Sequence, residues 1–207
     1  MPFDRLVKAL DAHVATLHEQ GTAKGKETVV TGVRRPTGDR GPRVLLDGEG
    51  EKEFIRMNSN SYLGLGLHSE VIEAEEAGSA AFGAGPGAVR FISGSYSVHV
   101  ELERELAAFH GREAAMIFSS AYATIVSVLT ALTTAETVLV SDELNHNCII
   151  NAMRMSRPGG KVVYPHLDIP ALDRALTEWS GKAKRALVVT DGIFSMRGDH
   201  APVDEIM

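Results

Sequence analysis

Cysteine is nearly absent, with Cys148 standing alone in 207 residues. A single thiol cannot close an internal disulfide, which fits a reducing compartment. No apolar run approaches the roughly 20 residues a membrane span requires. The N-terminal stretch MPFDRLVKALDAHV carries acids in its first turns, where a signal peptide would hold an apolar core. Basic clusters are missing too: none is denser than Arg34–Arg35, and 21 Lys and Arg against 27 Asp and Glu leave a formal net charge of -6. That balance argues against a nucleic-acid footprint. A hydrophobic content of 44% with 23% charged residues is ordinary for a globular chain long enough to bury a core. A soluble cytoplasmic protein, with neither nucleic acid nor membrane as partner, is the expectation.

Several catalytic signatures are also lacking. No G-x-S-x-G elbow occurs, which disfavours a serine hydrolase. The loop GAGPGAVRFISG has glycines at 83, 85 and 87, but the spacing is not that of a dinucleotide fingerprint and no strand directly precedes it. It is no Walker loop either, since no Gly-Lys-Ser/Thr follows. Its one arginine, Arg90, could serve structure or line a pocket. His146 has His99 and His110 as possible company, without the spacing of His, Cys and acids that a metal centre shows, so no metal is expected.

What is present is a regular alternation. Phe3, Leu6, Val7, Leu10, Val14 and Leu17 recur at helical spacing and predict an amphipathic first helix ending near Gly21, its stripe a packing face. Residues 21–42 read as a connecting arm, and RVLLDG with EFIRMN as a hairpin around Gly-Glu-Gly. From about residue 69, helices alternate with short apolar strands. SEVIEAEEAGSAAF, SVHVELERELAAFHG, AYATIVSVLTAL, HNCIINAMRMS and PALDRALTEWS are helical, Pro170 opening the last. AAMIFSS, TVLVSD, KVVYPH and RALVVTDG are strands. Continuous apolar strands between helices imply a mostly parallel sheet covered on both faces.

In such sheets ligands bind beyond the carboxyl ends of the strands. Those ends carry Ser119–Ser120, Ser141–Asp142 with His146 soon after, and Asp191. Each has a plain structural alternative. Ser119 or Ser120 in FSSAYAT could be a simple helix cap, or the helix start could meet a phosphate through its backbone N–H groups. His146 could be a core histidine, and Asp191-Gly192 a turn.

Taken in order, NSNSYLGL, GAVRFISGSYSVHVELERELAAFHG, FSSAYAT, SDELNHNCIINAMR and TDGIFSMRGD closely resemble the α-oxoamine synthases. These are pyridoxal-phosphate (PLP) enzymes that join an amino acid to an acyl-CoA, most members losing carbon dioxide. The resemblance covers nearly the whole chain, most specifically residues 58–198. It implies an α/β fold: the three-layer α/β/α, mostly parallel sheet of the fold-type I PLP-dependent transferase large domain, truncated here. Residues 1–57 would form an N-terminal helix and hairpin arm and residues 58–207 the partial large domain. It implies that His146 stacks on the cofactor ring and hydrogen-bonds substrate, the catalytic role. Ser120, Ala121 and Tyr122 would hold the phosphate, and Ser195 would bond the cofactor near its 3′ oxygen. Asp191 would orient His146 or its neighbours, and Asn60 would meet the substrate. A homodimer is implied, with Asn60 and the glycine loop near its interface.

The family pattern continues with an aspartate for the pyridinium nitrogen, the Schiff-base lysine and an arginine for the substrate carboxylate. The chain stops at Met207, ahead of all three. Its seven lysines, Lys8, Lys24, Lys26, Lys52, Lys161, Lys182 and Lys184, offer no apolar strand-end site. The expectation is therefore an N-terminal half that is inactive by itself. A non-catalytic partner subunit, an inactive fragment and a nucleotide-binding α/β module are the alternatives.

Overall fold

The computed structural model describes residues 2–207. The chain divides into two compact units, Met1–Pro86 and Gly87–Met207.

In the first unit, helix α1 spans Pro2–Glu19, close to its expected limits. Five residues of its apolar stripe are exposed, from Val7 at 39% to Phe3 at 71%, with Leu17 half-buried, so within the described residues most of the stripe is an uncovered face. The arm contains a strand that sequence reasoning left out. β1, Val30–Arg34, pairs antiparallel with β2, Arg43–Leu46, which pairs in turn with β3, Glu53–Phe54. The hairpin expected from RVLLDG and EFIRMN is the β2–β3 pair. Gly48 and Gly50 both adopt positive φ in its turn, where a side chain would be strained. β1 escaped notice because glycine, threonine and charge interrupt its valines, and pairing with β2 outweighs that weak local preference. A 3-10 turn over Tyr62–Leu67 leads into α2, Ser69–Phe82.

The second unit begins with a π-helical turn, Arg90–Gly94, and α3, Ser97–Phe109. Arg90 is structural: its guanidinium forks onto the Glu103 carboxylate of α3 and reaches Ser95 Oγ at 3.3 Å. The predicted strand AAMIFSS does not form. Its Ile117 N–H donates instead to Glu103 Oε1 at 3.0 Å, and Met116 is exposed. Apolar content alone makes no strand without a neighbour to complete the ladder, and among the described residues none lies beside this segment.

Then follow α4 (Ala121–Leu132), β4 (Thr137–Asp142), α5 (Asn147–Met155), β5 (Gly160–Tyr164), α6 (Ile169–Trp179) and β6 (Arg185–Val189). A short hairpin of β7 (Ile193–Phe194) and β8 (Asp199–His200) and a last turn, α7 (Val203–Ile206), complete the unit. β4 lies between β5 and β6, parallel to both, and every one of its residues is buried. Its side chains alternate between two layers. Leu139 packs with Leu129 of α4 and with Cys148, Ile149, Ala152 and Met153 of α5. Val138 and Val140 pack with Leu172 and Ala175 of α6. Each large apolar side chain buried this way contributes about 1.5–3 kcal/mol. The result is the expected three-layer α/β/α arrangement around a parallel sheet. Its register sets Asp142 beside Tyr164 and Ser141 beside Val189, so the carboxyl ends of all three strands share one rim.

Candidate functional site

The rim is organised by residues that leave β4. His146 is the N-cap of α5, and its Nδ1 accepts the Cys148 N–H at 3.1 Å. Helices leave their first N–H groups without internal partners, and here an imidazole takes the place usually held by a short polar side chain. With Nδ1 committed as acceptor, the ring proton sits on Nε2, and the exposed ring presents that donor at the strand end. Cys148 Sγ lies 3.0 Å from the same Nδ1. Burial pushes the Cys148 thiol pKa up, with a smaller push from the Asp191 carboxylate, so the sulfur remains an inert core group.

Asp191 follows β6 and is bound directly to His146, accepting its backbone N–H at Oδ2, 2.7 Å away. Its own N–H donates to Asn145 Oδ1 at 2.8 Å. Asn145 is buried and uses its amide fully, donating from Nδ2 to Ser141 Oγ (2.8 Å) and to the Val189 carbonyl (2.7 Å). Three short bonds therefore lock the end of β4 to the end of β6 and fix the backbone from which His146 projects. Sequence reasoning passed over Asn145, although it stands in the same SDELNHN stretch. Its only signal is a polar residue directly after a buried strand.

On α4, Ser120 is the N-cap, its Oγ accepting the Ala123 N–H at 3.1 Å. The capping alternative is thus met. It leaves the N–H groups of Ala121 and Tyr122 as first-turn donors of a 12-residue helix, at the positive end of its dipole. Tyr122 Oη accepts from Asn151 Nδ2 at 2.8 Å and so ties the start of α4 to α5. Ser195 lies in the turn between β7 and β8, exposed, and among the described residues takes no part in this hydrogen-bond network. Asn60 belongs to the other unit, where its carbonyl accepts the Tyr62 N–H at 2.9 Å. The structure thus joins His146 to Asp191 and Tyr122 to α5, but forms no bond from them to Ser195.

A second polar cluster on the rim was missed. Asp142, its side chain wholly buried, accepts from Leu144 N–H, His166 Nδ1 and Leu167 N–H at 2.8–2.9 Å. His166 follows β5 as His146 follows β4, so the strand-end logic applied to one imidazole would have found the other. Among the described residues no group of three or more His, Cys, Asp or Glu is arranged to hold a metal ion, and no helix is long and apolar enough to cross a membrane.

A parallel sheet between helical layers, with an imidazole-capped helix at its carboxyl-terminal rim, puts polar side chains where open α/β sheets bind their ligands. The model of the class I and II aminotransferases matches residues 52–207, and the chain belongs to that family. Its curated relatives include the 8-amino-7-oxononanoate synthase 1 of Bacillus velezensis, 42% identical over 168 residues (81% of this chain, 42% of the relative). That of Geobacter sulfurreducens is 38% identical over 202 residues (98% of this chain, 49% of the relative). The chain spans about half the length of the curated relatives it matches. Among solved structures, a serine palmitoyltransferase variant from S. paucimobilis with a bound PLP–myriocin aldimine superposes with a TM-score of 0.81 at 26% identity, covering 96% of this chain and 47% of that one. A Sphingomonas wittichii serine palmitoyltransferase does so with a TM-score of 0.80 at 27% identity, over 99% and 48%. The fold is that of the fold-type I PLP-dependent transferases, and the family's cofactor is pyridoxal 5′-phosphate.

Proposed function

We propose that the protein belongs to a PLP-dependent acyltransferase of the α-oxoamine synthase type, condensing an amino acid with an acyl-CoA. The observation that carries this reading is His146, held as a cap at the end of β4 with its backbone bound to Asp191. The donor set fits the cofactor. First-turn N–H groups at Ala121 and Tyr122 suit a phosphate, and the Ser120 cap keeps that turn in shape. The His146 ring offers a plane for stacking and an Nε2–H for the substrate. Bound there, pyridoxal phosphate would supply the electron sink for charge developing at the amino-acid Cα. The chain's own part is orientation. Asn145 and Asp191 hold the His146 backbone, and Ser195 has an uncommitted hydroxyl for the cofactor's ring oxygen.

A second reading rests on the lysines. All seven are exposed, and none sits in the buried strand-end site that an imine-forming lysine occupies. These residues do not themselves supply the covalent lysine, and a non-catalytic partner subunit or an inactive fragment of such an enzyme is the alternative reading. A homodimer belongs to the same proposal, supported by the uncovered apolar stripe of α1, as does a cytoplasmic location.

The test has two parts. The 207-residue chain is titrated with pyridoxal phosphate, reduced with borohydride and mapped by mass spectrometry. Weak, reversible binding with no labelled lysine is expected, and stoichiometric labelling of one of the seven would overturn this account of the site. The native protein is then assayed for thiol release from acyl-CoA in the presence of amino acids. His146→Ala should slow that release about a hundredfold or more. Amino-acid-dependent release untouched by that substitution would remove His146 from the mechanism, and no release with any amino acid would favour the partner-subunit reading.

A further inference from the structure

His166 is a buried ionisable group that the proposed chemistry does not use. Its side chain is 8% exposed, and both ring nitrogens face carboxylates: Nδ1 is 2.9 Å from Asp142 Oδ1, and Nε2 is 3.1 Å from Asp199 Oδ2. A neutral imidazole has one donor and one acceptor, so between two carboxylates it leaves one contact unmade. Only the imidazolium satisfies both. The site is built around that geometry. Leu167 adopts a left-handed conformation, φ 58°, which costs a non-glycine residue energy and persists only where surroundings enforce it. Its N–H lands on Asp142 Oδ2 at 2.9 Å, beside the ring of the preceding residue. The His166 N–H donates to Glu143 Oε1 at 3.0 Å. The ring meets the buried Phe194 edge to face, centroids 4.4 Å apart.

The two carboxylates belong to different parts of the fold. Asp142 ends β4, and Asp199 is in β8, on the far side of the turn that carries Ser195. We infer that His166 is a positioning residue, held as an imidazolium between Asp142 and Asp199, whose charge clamps the β7–β8 hairpin onto the carboxyl-terminal rim of the sheet. The link to the cofactor rests on the proposed function, through Ser195; the clamp itself does not.

The charged groups around the ring are Asp142 from β4, Glu143 after it, Asp199 from β8, and Arg197 in the turn, whose Nε lies 2.9 Å from Asp199 Oδ2. The Asp142 hydrogen bond raises the His166 pKa first and Asp199 adds to this, while burial and Arg197 oppose it. A histidine pKa raised on folding gives a contribution that is complete below the unfolded value of about 6.5 and is lost as pH rises through the folded one. Asp142 keeps its other two donors when the proton leaves, so Asp199 is the contact released. Arg197 then neutralises the freed carboxylate and makes release easy.

The experiment is hydrogen–deuterium exchange of the native protein, read on peptides covering 192–200 between pH 6 and 9 and corrected for intrinsic rates. Wild-type hairpin protection is expected to fall about tenfold across that range, as one charge-assisted bond is lost, with peptides of β4 unchanged. His166→Gln is expected to show the low protection at every pH. If that variant does not fold, Asp199→Asn removes one carboxylate from the bridge and is expected to move the transition to lower pH. Protection that is flat with pH in the wild type, or equal to wild type in a folded His166→Gln, overturns the clamp. PLP titration of wild type and His166→Gln at pH 6 separates the two proposals. Equal affinity with a loosened hairpin supports the clamp and overturns the placement of Ser195 at the cofactor.

Discussion

Replacing Asn145 by alanine tests how the rim is held. Its side chain makes three bonds of 2.7–2.8 Å, one back to Ser141 of β4 and two across to Val189 and Asp191 at the end of β6, and the residue is 3% exposed. A buried hydrogen bond contributes about 1 kcal/mol net, and an orphaned partner costs about 1–3 kcal/mol more when water cannot reach it. Ser141 Oγ keeps its contact with the Asp142 carbonyl, so the Val189 carbonyl and the Asp191 N–H are the groups left exposed to loss. Asn145→Ala is expected to cost about 3 kcal/mol. The assay is urea unfolding followed by Trp179, the single tryptophan of the sequence, which packs on the Val138–Val140 side of the sheet and so reports on the second unit. An unchanged m-value with a lowered midpoint would mark a loss of stability rather than of compactness. Asn145→Asp is the shape-matched control. A carboxylate there accepts from Asp191 N–H but faces the Val189 carbonyl, so its folded pKa rises above the unfolded value of about 3.9. The deficit against wild type should therefore grow as pH rises through that value and shrink in acid. A cost below about 1 kcal/mol for Asn145→Ala, or a pH-independent deficit for Asn145→Asp, would refute the lock.

Two further substitutions probe packing and charge. A methyl group on Gly160 would overlap the Trp179 ring, so Gly160→Ala should lower stability by about 1–3 kcal/mol and shift the Trp179 emission, which fluorescence-detected unfolding would register together. The Arg90 fork and the Ile117 N–H hold the Glu103 carboxyl down to about 2, so its contribution is present above about pH 4.5 and is lost as pH falls toward 2. Glu103→Gln should flatten the stability profile of the native protein across that window in thermal melts, and an unaltered profile would show that the pair does not link α3 to the Ile117 segment.

Much of this protein is legible along the chain because its determinants are local. The alternation of helices and strands after residue 69, the caps at Ser120 and the helix opening at Pro170 follow from periodicity and from side chains within a few residues of the backbone they serve. The rim that carries His146 and Asp191 follows from the rule that parallel strands end together. What the chain order could not show is which distant groups meet. AAMIFSS has the composition of a strand and is none, because a strand is defined by the ladder beside it; β1 has a poor composition and is one, because β2 is there. Asn145 and Val189 are 44 residues apart, His166 and Asp199 are 33 apart, and no periodicity encodes either bond. Both depend on the register of three strands and on burial, which leaves no buried side-chain polar atom among the described residues without a partner, and that is a property of the packed sheet and not of any segment within it.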